Sequence, residues 1–261
     1  MLYLYATIFN NITTIEKSIE SLNKINTEKK FLIVDNYSND GSYELLCKLK
    51  LKYNIVLKRA KCTRGNGKQL AMEIAYNESN ENDMFMTFDL DTIYLDNFVK
   101  SIEKAVKNME KNHIYLNQLS YKISNFKVPW TDLNYGEDWE RLAHFLSLGY
   151  SITINNPKII MWSNQYVDGP REKRYAEGFS YIKREFKNRI DLFVGWNVNS
   201  FKNFKTYIEY SKTGNKLTPI LFIIFLYVRL FKQTYNYTPM LNIFYVKKYC
   251  KFVEYEDFLD A

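Results

Sequence analysis

Over the first 109 residues, short apolar runs alternate with amphipathic stretches, and this alternation restricts the fold more than any other feature of the chain. Residues 2–9, 31–34, 55–58 and 84–88 are short apolar runs that read as strands. Between them, 41–51 and 69–77 read as helices, and in 96–109 Phe98, Ile102, Ala105 and Met109 fall on one helical face. Thr13 and Glu16 form an S/T-x-x-E capping box that leads into Ile15, Ile19 and Leu22, so a helix is expected to begin there. Repeated strand–helix units wind into a largely parallel sheet flanked by helices, an α/β fold whose ligands sit at the carboxyl ends of the strands.

After Tyr115 the alternation weakens, with helices expected at 137–148 and 175–187 and a strand at 151–154. A break at Thr213-Gly214-Asn215 precedes nine uninterrupted apolar residues, 220–228, followed by Arg229, Leu230 and Phe231. A helix of about 12 such residues rises about 18 Å against a hydrocarbon core of about 30 Å, too short to span it. It is expected either to lie in a membrane interface or to pack on the domain or on a second copy of the chain. The 261 residues suit one large α/β domain and an appendage, here 1–212 and a hydrophobic, basic helical tail at 213–261.

Charge sharpens the description of the tail. The net charge of +7 is matched by residues 210–253 alone, which hold seven Lys or Arg and no Asp or Glu. That asymmetry points to an anionic partner, a nucleic acid or an anionic membrane surface. Aromatic residues at 17% suggest ligand grooves or a lipid interface, beside a simple compositional bias. Cys47, Cys62 and Cys250 are odd in number and lack metal-ligand spacing, so they read as reduced thiols. With no basic leader before residue 2, a cytoplasmic location is expected, peripheral at the inner face of the membrane.

Two acidic segments follow strands. In Phe88-Asp89-Leu90-Asp91 a buried strand ends in two carboxylates one residue apart, a spacing able to hold Mg²⁺ or Mn²⁺, which prefer oxygen ligands and usually share one or two carboxylates with substrate phosphates. In Asp35-Asn36-Tyr37-Ser38-Asn39-Asp40-Gly41-Ser42 the same residue types also suit a plain turn and helix cap. Both loops fall on the same edge of the sheet.

Taken with Ile8-Phe9-Asn10, these segments resemble glycosyltransferase family 2: 34–42 is similar to its D-D-x-S-x-D-G-[ST] loop and Asp89-Leu90-Asp91 to its D-x-D, over about the first 145 residues. The resemblance implies a GT-A fold and an inverting glycosyltransferase. It divides the catalytic domain into a nucleotide-sugar half, 1–112, and an acceptor half, 113–212. It assigns the donor to Ala6, Thr7, Asn10 and Asp35, and the metal, Mg²⁺ or Mn²⁺, to Asp91 with Asp89 beside it. Asn36 stands where the family more often has a second Asp.

Arg64-Gly65-Asn66-Gly67-Lys68-Gln69 lacks the Walker spacing, yet glycines and a basic residue before a helix suit a phosphate. With the family's comparable segment in mind, Arg64, Gly67 and Lys68 are assigned to donor binding, against a solvated helix start. Gly136-Glu137-Asp138-Trp139-Glu140-Arg141 resembles the family's E-D element, which makes Asp138 the expected general base, Glu137 its alternative, and an acidic first helical turn the plain reading. His113 and His144, the two histidines, do not match the family's occasional later metal ligand. Arg171, Arg174 and Lys183 are candidates for a diphosphate or an acceptor phosphate, or line a solvated helix face; Arg174 is placed with the donor.

Three other functions compete. A nucleotidyltransferase would want a glycine-rich basic loop after the first strand, whereas residues 6–15 contain no Gly, Lys or Arg. A nucleic-acid binder would use the basic tail, but paired carboxylates oppose it, and Ile, Leu and Phe among the basic residues suit lipid better. A silent scaffold would not need Asp35, Asp89, Asp91 and Asp138 together. The expected partners are therefore a UDP- or GDP-type sugar donor, a glycan, lipid-linked or protein acceptor, a membrane surface and another copy of the chain, but not nucleic acid.

Overall fold

The computed structural model describes residues 1–155, 164–165, 179–211, 218–232, 234 and 251–253. Its strands are β1 (Leu2–Ile8), β2 (Lys29–Asp35), β3 (Ile55–Arg59), β4 (Met84–Thr87), β5 (Ile93–Tyr94), β6 (His113–Ile114), β7 (Ser120–Tyr121), β8 (Ser151–Asn155), β9 (Asn164–Gln165) and β10 (Lys251–Val253). Its α-helices are α1 (Ile15–Asn23), α2 (Ser42–Leu49), α3 (Arg64–Glu73), α4 (Asp96–Lys107), α5 (Lys122–Lys127), α6 (Glu137–Ser147), α7 (Phe179–Gly195), α8 (Phe201–Ser211) and α9 (Thr218–Phe231).

The central sheet has the order β3-β2-β1-β4-β7. Its first four strands are parallel and β7 runs antiparallel to β4, with Tyr5 opposite both Leu32 and Thr87. The pleat sends successive side chains of β1 to opposite faces. Leu2, Leu4 and Ile8, with Phe31 and Ile33 of β2, meet Ile15, Ile19 and Leu22 of α1 and Phe98 and Ile102 of α4. Tyr3 and Tyr5, with Leu32 and Val34, meet Ala71 and Met72 of α3 and Trp130. Both faces are covered, as a parallel sheet requires. β6, β8 and β10 form a second, parallel sheet, while β5 and β9 pair antiparallel.

The expected α/β sheet is present, and the differences in detail have local causes. α1 begins at Ile15 with Thr14 at its cap position, and the Thr14 side chain makes no cap hydrogen bond. The chain entering α1 is fixed by the next loop: Ser38 and Ser42 hydroxyls accept the Asn10 and Asn11 amides, and Asp40 accepts that of Ile12. α3 starts at Arg64, earlier than residue 69, because the Thr63 hydroxyl caps it by accepting the Asn66 amide.

α9 shares a core with the helices before it. Leu221, Ile224, Phe225 and Val228 pack with Phe193 of α7, with Phe204 and Tyr207 of α8, and with Leu133. The expected break at 213–215 and Cys250 lie outside the described residues, as do 175–178 of the helix expected from 175. None of the described helices is long and apolar enough to cross a membrane.

Candidate active site

The carboxyl ends of β1, β2 and β4 carry the two acidic loops. At the end of β2 the Asp35 side chain is fully buried, receives the Arg59 Nε–H at 2.9 Å, and accepts the Ser38 amide on both oxygens at 3.2 Å. Arg59 also donates to the Ser38 carbonyl and stacks on the rings of Tyr37 and Tyr43. Asp35 is therefore already engaged, and the face it offers a ligand is that of an Arg59–tyrosine cluster which the sequence did not single out. Asn10 adopts a left-handed φ of 49°, which Asn tolerates, and accepts the Asn39 amide at 3.0 Å. Ala6 is fully buried, and Thr7 is half-buried with its hydroxyl donating to the Val34 carbonyl.

Beyond β4, the Asp89 amide donates to the Tyr94 hydroxyl at 2.8 Å and its carbonyl accepts from Ser18 at 3.1 Å, fixing the D-x-D turn from α1 and β5. Asp89 reaches solvent, yet the protein packed around it pushes its carboxyl above the usual range. Asp91 and Asp138 add to that push, and Lys68 and Arg64 oppose it. Two carboxylates at this turn supply oxygen ligands suited to Mg²⁺ or Mn²⁺, and a cation would relieve the repulsion between them. No group of three or more His, Cys, Asp or Glu side chains suited to a metal occurs among the described residues, so substrate oxygens would have to complete the shell.

Opposite the D-x-D lies the start of α6. Its cap, Gly136, has a φ of +81°, a backbone state that glycine adopts without strain. Lys68 comes up from α3 beneath it, with a side chain only 3% exposed. Its ammonium lies 2.6 Å from Asp138 Oδ1, 3.3 Å from Glu137 Oε1 and 4.4 Å from the centre of the Trp130 ring. Burial works against the charge on Lys68, but Asp138, Glu137 and Asp89 outweigh it and hold the ammonium protonated well above its usual range. The two acids then diverge. Glu137 is buried, and desolvation together with Asp138 pushes its carboxyl up. Asp138 is half exposed; burial opposes its charge too, but Lys68, with help from Arg64 and Arg141, brings its carboxyl below the usual range.

At the start of α3 the backbone amides are engaged within the protein. The four amides at the start of α3 are all used: Arg64 donates to Asn134 Oδ1, Gly65 to the Leu133 carbonyl, Asn66 to the Thr63 hydroxyl and Gly67 to the Thr63 carbonyl. Its glycines answer to packing instead. A Cβ on Gly65 would strike the Thr131 carbonyl and one on Gly67 the Thr7 side chain. Lys68, expected beside the donor phosphates, is engaged by Glu137 and Asp138, and Arg64 lies 3.7 Å from Glu137.

Arg141, also on α6, gave no functional signal in the sequence and is fully buried. It makes five hydrogen bonds to oxygen: to the Val128 and Asn125 carbonyls, the Tyr5 hydroxyl, Gln118 Oε1 and Asn125 Oδ1. Its guanidinium stacks on Trp130 at 4.5 Å, and Gln118 in turn donates to the Asp138 carbonyl. The helix bearing Asp138 is thereby bolted to β1.

The remaining candidates lie elsewhere or are not described. His113 shares a hydrogen bond with Thr153 at 2.8 Å. His144 is held below its usual pKa by burial and by Arg141. Lys183 is exposed on α7, while Arg171 and Arg174 lie outside the described residues. A concavity of about 530 Å³ lined by Lys17, Ser21, Tyr94 and Asp96 includes none of the acidic cluster.

The family model for glycosyl transferase family 2 matches residues 5–167. No curated protein matches the sequence. Among solved structures, S. aureus TarS residues 1–349 in complex with UDP is 12% identical, with a TM-score of 0.53, and the alignment covers 84% of this chain and 78% of that one. The same protein in complex with UDP-GlcNAc is 13% identical, with a TM-score of 0.50 and coverage of 88% of this chain and 73% of that one. The mannosyltransferase PcManGT from Pyrobaculum calidifontis, in complex with GDP-Man and Mn²⁺, is 13% identical with a TM-score of 0.48, covering 88% of this chain and 70% of that one.

Proposed function

The chain belongs to glycosyl transferase family 2 and is a glycosyltransferase, and from that premise we propose that it moves a sugar, with inversion, from a UDP- or GDP-type donor to an acceptor hydroxyl or phosphate. The observation that carries this reading is the buried ammonium of Lys68, held by Asp138 and Glu137 of α6 and acted on by Asp89 of the D-x-D turn beyond β4, where Asp91 stands beside Asp89.

In this scheme the donor lies over the carboxyl ends of β1, β2 and β4, with the Arg59–tyrosine cluster at its base and Asp89 and Asp91 holding a divalent ion near the diphosphate. The ion, when bound, neutralises charge on the departing diphosphate. Asp138 faces the acceptor. Its carboxylate takes the acceptor proton as that oxygen bonds to the anomeric carbon and the anomeric C–O bond breaks, its electron pair leaving with the diphosphate. Lys68 keeps Asp138 ionised and aimed, and Glu137, buried behind it, balances the lysine. A half-exposed carboxylate is better suited than a buried one to meet an acceptor, which favours Asp138 over Glu137 as the base.

A panel of UDP-, GDP- and dTDP-sugars, tested for binding and hydrolysis with Mn²⁺ or Mg²⁺ on wild type and on Asp91→Ala, tests this. One donor should bind in a metal-dependent way and be lost in the variant. Binding that ignores both metal and Asp91 would remove the metal assignment, and no binding of any donor would remove the donor class.

A further inference from the structure

We propose that the outer face of α9 is a docking surface for an anionic lipid bilayer, with the helix lying in the plane of the membrane. The argument begins with how the helix divides. At about 100° per residue, Leu221, Ile224, Phe225 and Val228 cluster on one side, and these are the residues buried against α7 and α8. Ile220, Ile223, Tyr227, Leu230 and Phe231 fall within about 120° on the other side, and all five are exposed, Ile223 by 61%, Leu230 by 68% and Phe231 by 71%.

An apolar helix of a water-soluble protein normally has a polar outer face or is buried all round. α9 is neither. A contiguous exposed apolar patch with a polar rim marks a partner or a membrane. Charge selects between them. Arg229 and Lys232 stand at the end of the helix, Lys202 and Lys205 are exposed on neighbouring α8, and residues 210–253 contain seven basic residues and no acidic one. Basic residues flanking Ile, Leu, Phe and Tyr complement a leaflet rich in anionic headgroups, each adding attraction within a Debye length of the surface. The length fits as well: 14 residues make a helix of about 21 Å, too short to span and sufficient to lie flat.

This inference is independent of the donor and base assignments, because it is read by partitioning alone. The full chain is mixed with vesicles of phosphatidylglycerol and phosphatidylcholine, or of phosphatidylcholine alone, and sedimented at low and high salt. Wild type should partition onto the anionic vesicles, more weakly at high salt. The variant Ile220→Ser/Ile223→Ser/Leu230→Ser changes exposed side chains only, so its melting temperature and its donor turnover in solution should hold. Its partitioning should fall by more than about tenfold, since each large apolar side chain contributes a substantial part of interfacial binding. A second variant, Lys232→Glu, should lose part of the preference for anionic over neutral vesicles while still folding. Wild type that stays in the supernatant, or a triple variant that partitions like wild type, overturns the proposal. So does an apolar face covered by a second copy, seen as a concentration-dependent dimer that the triple variant abolishes and vesicles do not disturb.

Discussion

Replacing Lys68 with Met tests the centre of the site, because Met retains an unbranched stem on Trp130 and removes only the charge. In the fold, Lys68 is 3% exposed and Glu137 1%, whereas Asp138 is 45% exposed. The Asp138 contact is therefore screened by water and adds little to stability. The cost comes from Glu137, left buried with Arg64 at 3.7 Å as its nearer remaining cation. Breaking a buried pair from one side costs about 3–5 kcal/mol, and the partial relief from Arg64 places this case near about 3 kcal/mol. For a chain of this size that lowers the melting temperature by about 6–12 °C. Adding Glu137→Gln to Lys68→Met removes the stranded charge and should restore most of the loss, and calorimetry on the two single variants and the double variant reads the coupling directly.

The same substitution has a signature in pH. Lys68 holds the Asp138 carboxyl below its usual range, so the stability and ionisation it supplies are present above the ordinary aspartate range and lost as pH falls through the depressed value. Without Lys68, the acid limb of donor turnover moves to higher pH. A Lys68→Met protein that melts within about 2 °C of wild type, or whose loss Glu137→Gln does not reduce, would refute the buried pair; an unmoved acid limb would refute Asp138 as the titrating base.

Substitutions at three further positions test how α3 and α6 are held. Gly65→Ala should destabilise more than Gly67→Ala, because the added carbon meets the backbone carbonyl of Thr131 in one case and the side chain of Thr7 in the other; urea midpoints should show about 1–3 kcal/mol for Gly67→Ala and more for Gly65→Ala. Arg141→Leu strands oxygens on Tyr5, Gln118, Asn125 and Val128 and should cost about 3 kcal/mol or more, and Arg141→Lys should restore little, since one ammonium cannot serve acceptors spread over the guanidinium's planar fork.

The sheet was legible because burial on both faces leaves apolar runs that periodicity can find, and strands 2–9, 31–34, 55–58 and 84–88 differ from the observed bounds by at most two residues at either end. The acidic loops were legible because Asp, Asn, Ser and Gly gather where strands end. What the sequence hid are roles set by partners far along the chain. Lys68 reads as the end of a glycine-rich phosphate segment until its partners, 69 and 70 residues away, come into view. Gly65 and Gly67 look alike in sequence, yet one makes room for the 131–133 segment and the other for β1. Arg141 closes the E-D segment with no role of its own in the sequence, since nothing local separates a solvated arginine from one enclosed by Tyr5 and Asn125. For α9 the sequence left burial and interface as alternatives, and the helix has one buried face and one exposed apolar face.

The Arg141 network also bears on the order in which the molecule can assemble. Its five oxygens come from β1 and from the 118–128 segment, and the arginine that donates to them stands on α6, with Tyr5 and Arg141 separated by 136 positions. Such a knot closes only after the intervening chain has wound the sheet, because the entropy of a loop that long must be overcome before the contact returns any energy. The contact between Tyr5 and Arg141 thus crosses the boundary expected between a nucleotide half and an acceptor half. Asp138, three residues before Arg141 on the same helix, is thereby placed by contacts that no short segment of the chain can form by itself.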